Sequence, residues 1–244
     1  MASNPWDPYP PHLDLTNKDI HVWRARFNCP EKLLRQFEAT LAPEEIVRAN
    51  RFVFQKDRNN FVAARGILRQ LLGRYTSSSP EQIKFEYGPQ GKPFVKSDMN
   101  KHSLDFNISH SHGMGLFAFA ARRRLGVDIE SIKPDFGGEE IAERYFSRHE
   151  VDELQSLPAS LRAEGFFLCW TRKEAYIKAK GEGLSIPLKS FHVSLTPNKP
   201  ERLQSADSTN WTLQSLLPDT GYAGALVYEG NKSLVRCIDW RSEV

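Results

Sequence analysis

Hydrophobic positions along the chain follow a two-residue period in some segments and a helical period in others. The segment DIHVWRARF, residues 19–27, alternates as a strand does, although its two faces are not cleanly divided. Residues 29–52 predict two short helices around Pro43. The next segment predicts a long helix over residues 55–75 with Gly73 as its stop, because apolar side chains recur at helical spacing at Phe61, Ala64, Ile67, Leu68, Leu71 and Leu72.

Later segments predict short strands, then helices, then strands again. Strands are expected at 83–88, 104–111, 114–121 and 125–130, with a loop rich in His, Ser and Gly between the second and the third. Helices follow at 139–146, 149–157 and 161–181, and the tail returns to strands at 191–195, 211–217, 221–230 and 235–240. Helices mixed with mostly antiparallel strands indicate an α+β fold.

The same order of elements occurs twice. Each half has one long helix, near 56–74 and 161–180, followed by a glycine-containing turn and then strands. The two halves hardly match in sequence, so a duplication is a hypothesis at this point.

Composition excludes several classes of protein. Of the 244 residues, 40% are hydrophobic and 26% charged, which is typical of a globular chain and not of a disordered one. The net charge of +3 is too small to indicate nucleic acid binding. Three scattered cysteines without a CxxC pair favour a reducing compartment. The proline-rich start does not resemble a signal peptide, and the longest apolar run, MGLFAFAA, is too short to span a membrane. We therefore expect a soluble cytoplasmic protein without a membrane partner.

Acidic residues recur on one face of the predicted strand LGVDIE. Because strand side chains alternate, Asp128 and Glu130 point one way, and Val127 and Ile129 the other. Two adjacent carboxylates repel each other unless a cation or a donor relieves them. Gly126 leaves the backbone approachable on the acidic face.

A third carboxylate lies on the helix that contains WTRKEAYIK. Glu174 and Lys178 are four residues apart and share a helix face. If this helix packs across the strand, three carboxylates converge in an oxygen cluster suited to Mg²⁺ or Mn²⁺. The alternatives are a solvated Glu–Lys pair and an edge strand that faces water, since spacing alone does not show that the two elements meet.

The combination of motifs resembles the signature of the phosphopantetheinyl transferases, specifically the long single-chain type that activates surfactin synthetase (Sfp type). That signature is Gly-Ile/Val-Asp-x-Glu, then Trp-Ser/Thr-x-Lys-Glu-x-x-x-Lys further along the chain. It is matched here by Gly126, Asp128, Glu130, Trp170, Thr171, Lys173, Glu174 and Lys178. Three further stretches resemble the family, namely GKP at 91–93, FNISHS at 106–111 and GEGLSIPL at 181–188.

This resemblance implies an Mg²⁺-dependent enzyme that transfers 4′-phosphopantetheine from coenzyme A to a serine of an apo acyl or peptidyl carrier protein, releasing 3′,5′-ADP. It also implies a pseudo-twofold pair of similar α/β halves with coenzyme A in the cleft between them, acting as a monomer. We expect the N-terminal half, residues 1–122, to contact the coenzyme A phosphates and adenine. The C-terminal half, residues 123–244, is expected to provide the metal-binding carboxylates.

The resemblance also assigns roles to residues. Asp128, Glu130 and Glu174 are expected to hold Mg²⁺, with Mn²⁺ as an alternative. Glu174 is expected to be the general base, directly or through a metal-bound water, with Asp128 and Lys178 as the other catalytic residues. Contacts to coenzyme A are expected from Arg48, Gly91, Lys92, Pro93, Ser109, His110 and Lys178.

Two assignments leave alternatives open. The family commonly has two bases near Arg48, and Glu45 takes the place of the other one here, so Arg51 or Arg65 are substitutes for it. Lys173 is expected to contact phosphate or the carrier protein. Two other functions stay open as well: a non-catalytic module that binds coenzyme A or a carrier protein, and a metal-dependent hydrolase of pyrophosphate bonds.

Overall fold

Two long helices cover two sheets in the computed structural model, which describes residues 6–8, 10, 12–100 and 103–241. The helices are α1 (Glu31–Thr40), α2 (Pro43–Ala49), α3 (Gln55–Thr76), α4 (Glu139–Tyr145), α5 (Arg148–Ser156) and α6 (Ala159–Lys180). The strands are β1 (Asp19–Arg26), β2 (Phe85–Tyr87), β3 (Pro93–Val95), β4 (Leu104–Ser111), β5 (Met114–Ala121), β6 (Leu125–Ser131), β7 (His192–Val193), β8 (Leu203–Gln204), β9 (Trp211–Leu216), β10 (Tyr222–Glu229) and β11 (Leu234–Asp239).

The strands form two main sheets, one in each half of the molecule. The first has the order β11-β1-β5-β4 and the second the order β6-β10-β9. All neighbours within these sheets are antiparallel except β1 and β11, which are parallel. The predicted α+β fold is therefore confirmed.

The sheets and long helices stack as four layers, because each sheet is apolar on both faces. Phe117 and Phe119 of β5 belong to the core beneath α3, whereas Leu116, Ala118 and Ala120 belong to the core between the two sheets. On the other side of that middle core, Ala225 and Val227 of β10 pack beneath α6. A long helix therefore covers one sheet in each half, as the predicted pseudo-twofold arrangement requires.

The structure corrects the predicted end of α3. The helix continues through Gly73 to Thr76 and ends at Ser77, whose φ is +54°. Gly73 has a different function, because the chain folds back over it. A Cβ at this position would lie 2.6 Å from the carbonyl oxygen of Ser78.

The segment between β4 and β5 is a tight turn and not the predicted loop. Its two residues, His112 and Gly113, have φ values of +48° and +79°. Positive φ at both central residues is the feature of a type I′ turn, which fixes the register of a hairpin. The short strands β3 and β8 were not predicted, because runs of two or three residues have no clear period.

The last strand lies in the first sheet. β11 pairs with β1 from Asp19↔Leu234 to Arg24↔Asp239. By hydrogen bonding, residues 234–239 therefore belong with the N-terminal half, while the division near residue 122 stays a prediction. Part of the proline-rich start, residues 1–5, 9 and 11, lies outside the described residues. No helix within the described ranges is long and apolar enough to cross a membrane.

Candidate active site

Strand β6 and helix α6 meet at Gly126. A Cβ built on this glycine would lie 2.2 Å from the Ala175 carbonyl oxygen and 2.3 Å from the Ala179 nitrogen. The helix backbone therefore rests on the strand backbone, and only glycine permits this approach. The acidic face of β6 is the face that α6 covers, as the alternation of side chains predicts.

Asp128 is the most buried of the three predicted metal ligands, with 3% of its surface exposed. Its Oδ1 atom accepts hydrogen bonds from Lys178 Nζ and from Ser109 Oγ, both at 2.6 Å. Lys178 also donates to Ser109 over 3.1 Å. The Asp128 carboxylate of β6 therefore binds one side chain from β4 and one from α6.

Glu130 and Glu174 lie within electrostatic reach of Asp128. Burial raises the pKa of the Glu130 carboxyl; the hydrogen bond from Ser111 opposes the rise, and the charge of Asp128 adds to it. Burial likewise raises the pKa of Glu174, where Lys178 opposes the rise and the charges of Asp128 and Glu130 add to it. The three carboxylates therefore share one electrostatic environment, with Lys178 as their nearby positive charge.

The chemistry of these side chains fits a hard divalent cation. The Oδ2 atom of Asp128 is buried and has no hydrogen-bond partner among the described residues. A buried carboxylate oxygen of this kind is costly unless a donor or a cation satisfies it. Carboxylate oxygens are the ligands that Mg²⁺ and Mn²⁺ prefer. Within the described ranges, however, no three His, Cys, Asp or Glu side chains are gathered closely enough to hold a metal ion. Ligation therefore requires these carboxylates to draw together.

Polar side chains of β4 join the edges of the two sheets. Every second residue of this strand faces β6, and we call this set, Asp105, Asn107, Ser109 and Ser111, the β4–β6 seam. Backbone N–H groups of β6 donate to three of its members. The bonds are Leu125 to Asp105 Oδ2 at 3.1 Å, Val127 to Asn107 Oδ1 at 2.9 Å and Ser131 to Ser111 Oγ at 3.2 Å.

The seam also reaches the carboxylates. Ser109 donates to Asp128, and Ser111 donates to Glu130 Oε2 at 2.7 Å. Ser111 and Asn107 were not predicted as site residues. The alternation of polar residues along β4 was visible in the sequence, but the strand that it faces belongs to another sheet.

His110 follows Ser109 on β4, so the alternation of side chains turns it away from β6. Its side chain is accessible to solvent, yet protein atoms surround it, and this desolvation lowers its pKa. The positive charges of Lys178 and Arg48 lower the pKa further. The ring of Phe27 packs against His110 with 6.0 Å between ring centroids. Predicted phosphate contacts from both halves are therefore near one another.

Lys92 lies at the other end of the seam. Its Nζ atom donates to Leu125 O at 3.0 Å and to Asp105 Oδ2 at 3.2 Å. Gly91 occupies the preceding turn with a φ of +78°, and Pro93 begins β3. The turn approaches the C-terminal half, since a Cβ on Gly183 would lie 3.4 Å from Gln90.

Arg48 borders a separate cavity of about 810 Å³ in the N-terminal half. Arg51 and Arg65 line the same cavity. Glu45 does not oppose Arg48, because its buried carboxylate is bound by Arg65 and, at 2.7 Å, by Arg69. Of the two substitutes considered for a second base, both line the cavity, and Arg65 is also held in an ion pair with Glu45.

Lys173 is not a surface contact, so that prediction is wrong. Its side chain has no exposed surface, and it pairs with the equally buried Glu150 at 2.8 Å. It also donates to the carbonyl oxygens of Leu188 and Phe191, at 2.7 and 2.8 Å. Lys173 therefore anchors α6 to α5 and to the segment that follows it, and it orients the helix that contains Glu174.

Comparisons with known proteins match both halves of the chain. Residues 26–122 match the family model described as "4′-phosphopantetheinyl transferase, N-terminal", and residues 124–227 match "4′-phosphopantetheinyl transferase superfamily". Among solved structures, holo-[acyl-carrier-protein] synthase of Thermotoga maritima is similar with a TM-score of 0.36 and 22% identity, over 45% of this chain and 64% of that one.

Curated relatives are similar over most of the chain. The 4′-phosphopantetheinyl transferase HetI of Nostoc sp. is 40% identical over 94% of this chain and 96% of its own length. A putative 4′-phosphopantetheinyl transferase of Synechocystis sp. is 36% identical over 79% and 80%, respectively. The 4′-phosphopantetheinyl transferase Sfp of Bacillus subtilis is 31% identical over 71% and 75%. With its two halves matched in order and its acidic strand packed on the helix that carries Glu174, this chain belongs to the 4′-phosphopantetheinyl transferase superfamily of enzymes.

Proposed function

We propose that the chain transfers the 4′-phosphopantetheine group of coenzyme A to a serine of an apo acyl or peptidyl carrier protein, with Mg²⁺ and with release of 3′,5′-ADP. The observation that carries this proposal is the backbone contact at Gly126. This contact lies beside the bond between Lys178 and Asp128, and it supports the proposal because Glu174 is within electrostatic reach of Asp128 and Glu130. Action as a monomer and a cytoplasmic location stay predictions.

Positive and donor groups of the predicted site suit the phosphates of coenzyme A. Arg48 borders the cavity of the N-terminal half, and its charge acts on His110, as does that of Lys178. We assign the 3′-phosphate to Arg48 and the diphosphate to Lys178, Ser109 and His110. Lys92 is assigned to a phosphate too, which requires it to exchange its bond to Asp105 for one to the ligand. Gly91 and Pro93 are assigned to the adenine side.

The reaction is a displacement at the phosphorus that bears pantetheine. The serine oxygen of the carrier forms a new P–O bond, and the bond from that phosphorus to the oxygen of the departing 3′,5′-ADP breaks. Glu174 accepts the serine proton as general base. Lys178, one helical turn away, neutralises negative charge on the transferred group. Asp128 holds Lys178 in place over 2.6 Å. A divalent ion bound by Asp128, Glu130 and Glu174 would supply charge neutralisation for the diphosphate.

The proposal is tested by incubating the protein with coenzyme A, Mg²⁺ and several apo-carrier proteins, followed by mass spectrometry of the carriers. We expect one carrier to gain the mass of phosphopantetheine, and we expect a chelator to abolish the gain. Glu174→Gln should lower the rate by about 10² to 10⁴-fold, the usual contribution of a general base. Glu164→Gln, a matched change on the same helix away from the carboxylates, should not.

Two results would contradict the proposal. Nucleotide release without any modified carrier would indicate hydrolysis of the pyrophosphate bond. Binding of coenzyme A without any product would indicate a non-catalytic module.

A further inference from the structure

Ser111 has a position in the seam that the proposed chemistry does not use. Its side chain is 8% exposed, and it comes from the N-terminal half. Its hydroxyl nevertheless binds two groups of β6, the Glu130 carboxylate at 2.7 Å and the Ser131 backbone N–H at 3.2 Å. Ser111 therefore connects the half that carries it to a predicted metal ligand of the other half.

The direction of these hydrogen bonds is determined by their chemistry. A hydroxyl has one hydrogen to donate and two lone pairs. The N–H of Ser131 can only donate, so it takes a lone pair of Ser111. An ionised carboxylate can only accept, so the proton of Ser111 points to Glu130 Oε2. The His112 Nδ1 atom, at 3.2 Å, is a more distant partner of the same hydroxyl.

The backbone around Ser111 holds this geometry. Ser111 directly precedes the type I′ turn at His112 and Gly113, and it pairs with Met114 at the start of β5. A two-residue turn of this type leaves little freedom of register. Tyr222 of β10 donates to the His112 carbonyl oxygen at 3.1 Å and ties the turn to the second sheet. The Ser111 hydroxyl therefore has one orientation relative to β6.

We infer that Ser111 is a positioning residue for the divalent cation, acting through Glu130. The hydroxyl holds Oε2, which restricts rotation of the Glu130 carboxylate and leaves Oε1 for the ion. Residues that hydrogen-bond to a metal-binding side chain and orient it typically change metal affinity by about 10 to 100-fold when they are removed. The inference rests on the proposed function, because it takes Glu130 as a ligand.

The test measures Mn²⁺ binding, from the electron paramagnetic resonance signal of unbound Mn²⁺, and separately the Mg²⁺ dependence of carrier modification. Ser111→Ala should weaken Mn²⁺ binding by about 10 to 100-fold. It should also raise the Mg²⁺ concentration needed for half-maximal rate more than it lowers the rate at saturating Mg²⁺. Ser111→Thr keeps the hydroxyl and should restore binding to within a few-fold of the unchanged protein.

A matched control separates positioning from a merely structural effect. Thr196 donates to Glu153 Oε1 at 2.5 Å, a bond of the same kind in another part of the C-terminal half. Thr196→Ala should leave Mn²⁺ binding unchanged. If Ser111→Ala does not fold, Ser111→Cys takes its place, because a thiol of similar size is only a weak donor. Three results would overturn the inference. Mn²⁺ binding could be unchanged without the Ser111 hydroxyl, Thr196→Ala could weaken it equally, or the unchanged protein could fail to bind Mn²⁺.

Failure of the inference and failure of the proposed function give different results. If the unchanged protein modifies a carrier while Ser111→Ala binds Mn²⁺ normally, the inference alone is wrong. If no carrier is modified but Mn²⁺ binding depends on the Ser111 hydroxyl, the proposed function is wrong and the positioning of Glu130 stands.

Discussion

Gly126→Ala is the sharpest test of how the active site is assembled, because it acts on the strand–helix contact without touching a charged group. The added Cβ would lie 2.2 Å from the Ala175 carbonyl oxygen, whereas real Cβ atoms essentially never approach within 3.0 Å. Helix α6 must therefore retreat by about 0.8 Å, the difference between these distances. If the helix moves as a unit, the bond between Lys178 and Asp128 stretches from 2.6 Å to at most about 3.4 Å.

Two consequences follow from this displacement. Overpacking of this kind typically costs about 1–3 kcal/mol of folding free energy, which urea unfolding measures. A misplacement of nearly 1 Å between catalytic groups can lower the rate by about 100-fold, which the rate of carrier modification at saturating coenzyme A measures.

The matched control is Gly137→Ala, where an added Cβ meets nothing within 4 Å. It should leave both quantities close to those of the unchanged protein. A Gly126→Ala protein with an unaltered rate and unaltered stability would refute the claim that this contact aligns the carboxylates.

The remaining predictions concern folding and the approach to the phosphates. Lys173→Ala leaves Glu150 buried without its counter-charge and should lower the free energy of unfolding by about 3–5 kcal/mol in urea titrations; an unchanged midpoint would contradict a buried pair. Burial lowers the pKa of His21 to about 4, so the folded state binds fewer protons than the unfolded chain between that pH and the usual value of 6.5. Thermal stability should therefore fall as the pH decreases from 6.5 towards 4, and His21→Gln should flatten this dependence. Gly115→Ala places a Cβ 2.5 Å from the Phe27 ring, which packs on His110. The displaced ring should raise the Michaelis constant for coenzyme A, measured from rates of carrier modification.

The sequence predicted the contact between β6 and α6 well, because this contact depends on the spacing of residues within each element. In a strand, Gly126, Asp128 and Glu130 share a face, and that face is the one on which α6 lies. On a helix, Glu174 and Lys178 share a face in the same way. The order of strands and helices followed from their periods too, so most elements occur where the pattern predicts them.

Features that depend on contacts between residues far apart in the sequence could not be predicted from it. Lys173 directly precedes Glu174, and one helical step turns it from the site to the core, where Glu150 of α5 binds it. The sequence carries no sign of which charged residue of an amphipathic helix has a buried partner. The parallel pairing of β11 with β1 joins nearly opposite ends of the chain, and neither strand shows its neighbour in its own pattern.

The charges of the proposed site give a reason for both halves of the molecule to contribute to it. The C-terminal half provides three carboxylates and one lysine, and burial together with repulsion between the carboxylates raises the pKa of Glu130 and Glu174. Three negative charges against one positive charge leave two negative charges, which one divalent cation balances. This cluster alone would repel a diphosphate. Under the proposed function, the N-terminal half would add the positive charge of Arg48 and the hydroxyl donors of the seam, which favour a phosphate ligand near the place where β4 and β6 meet.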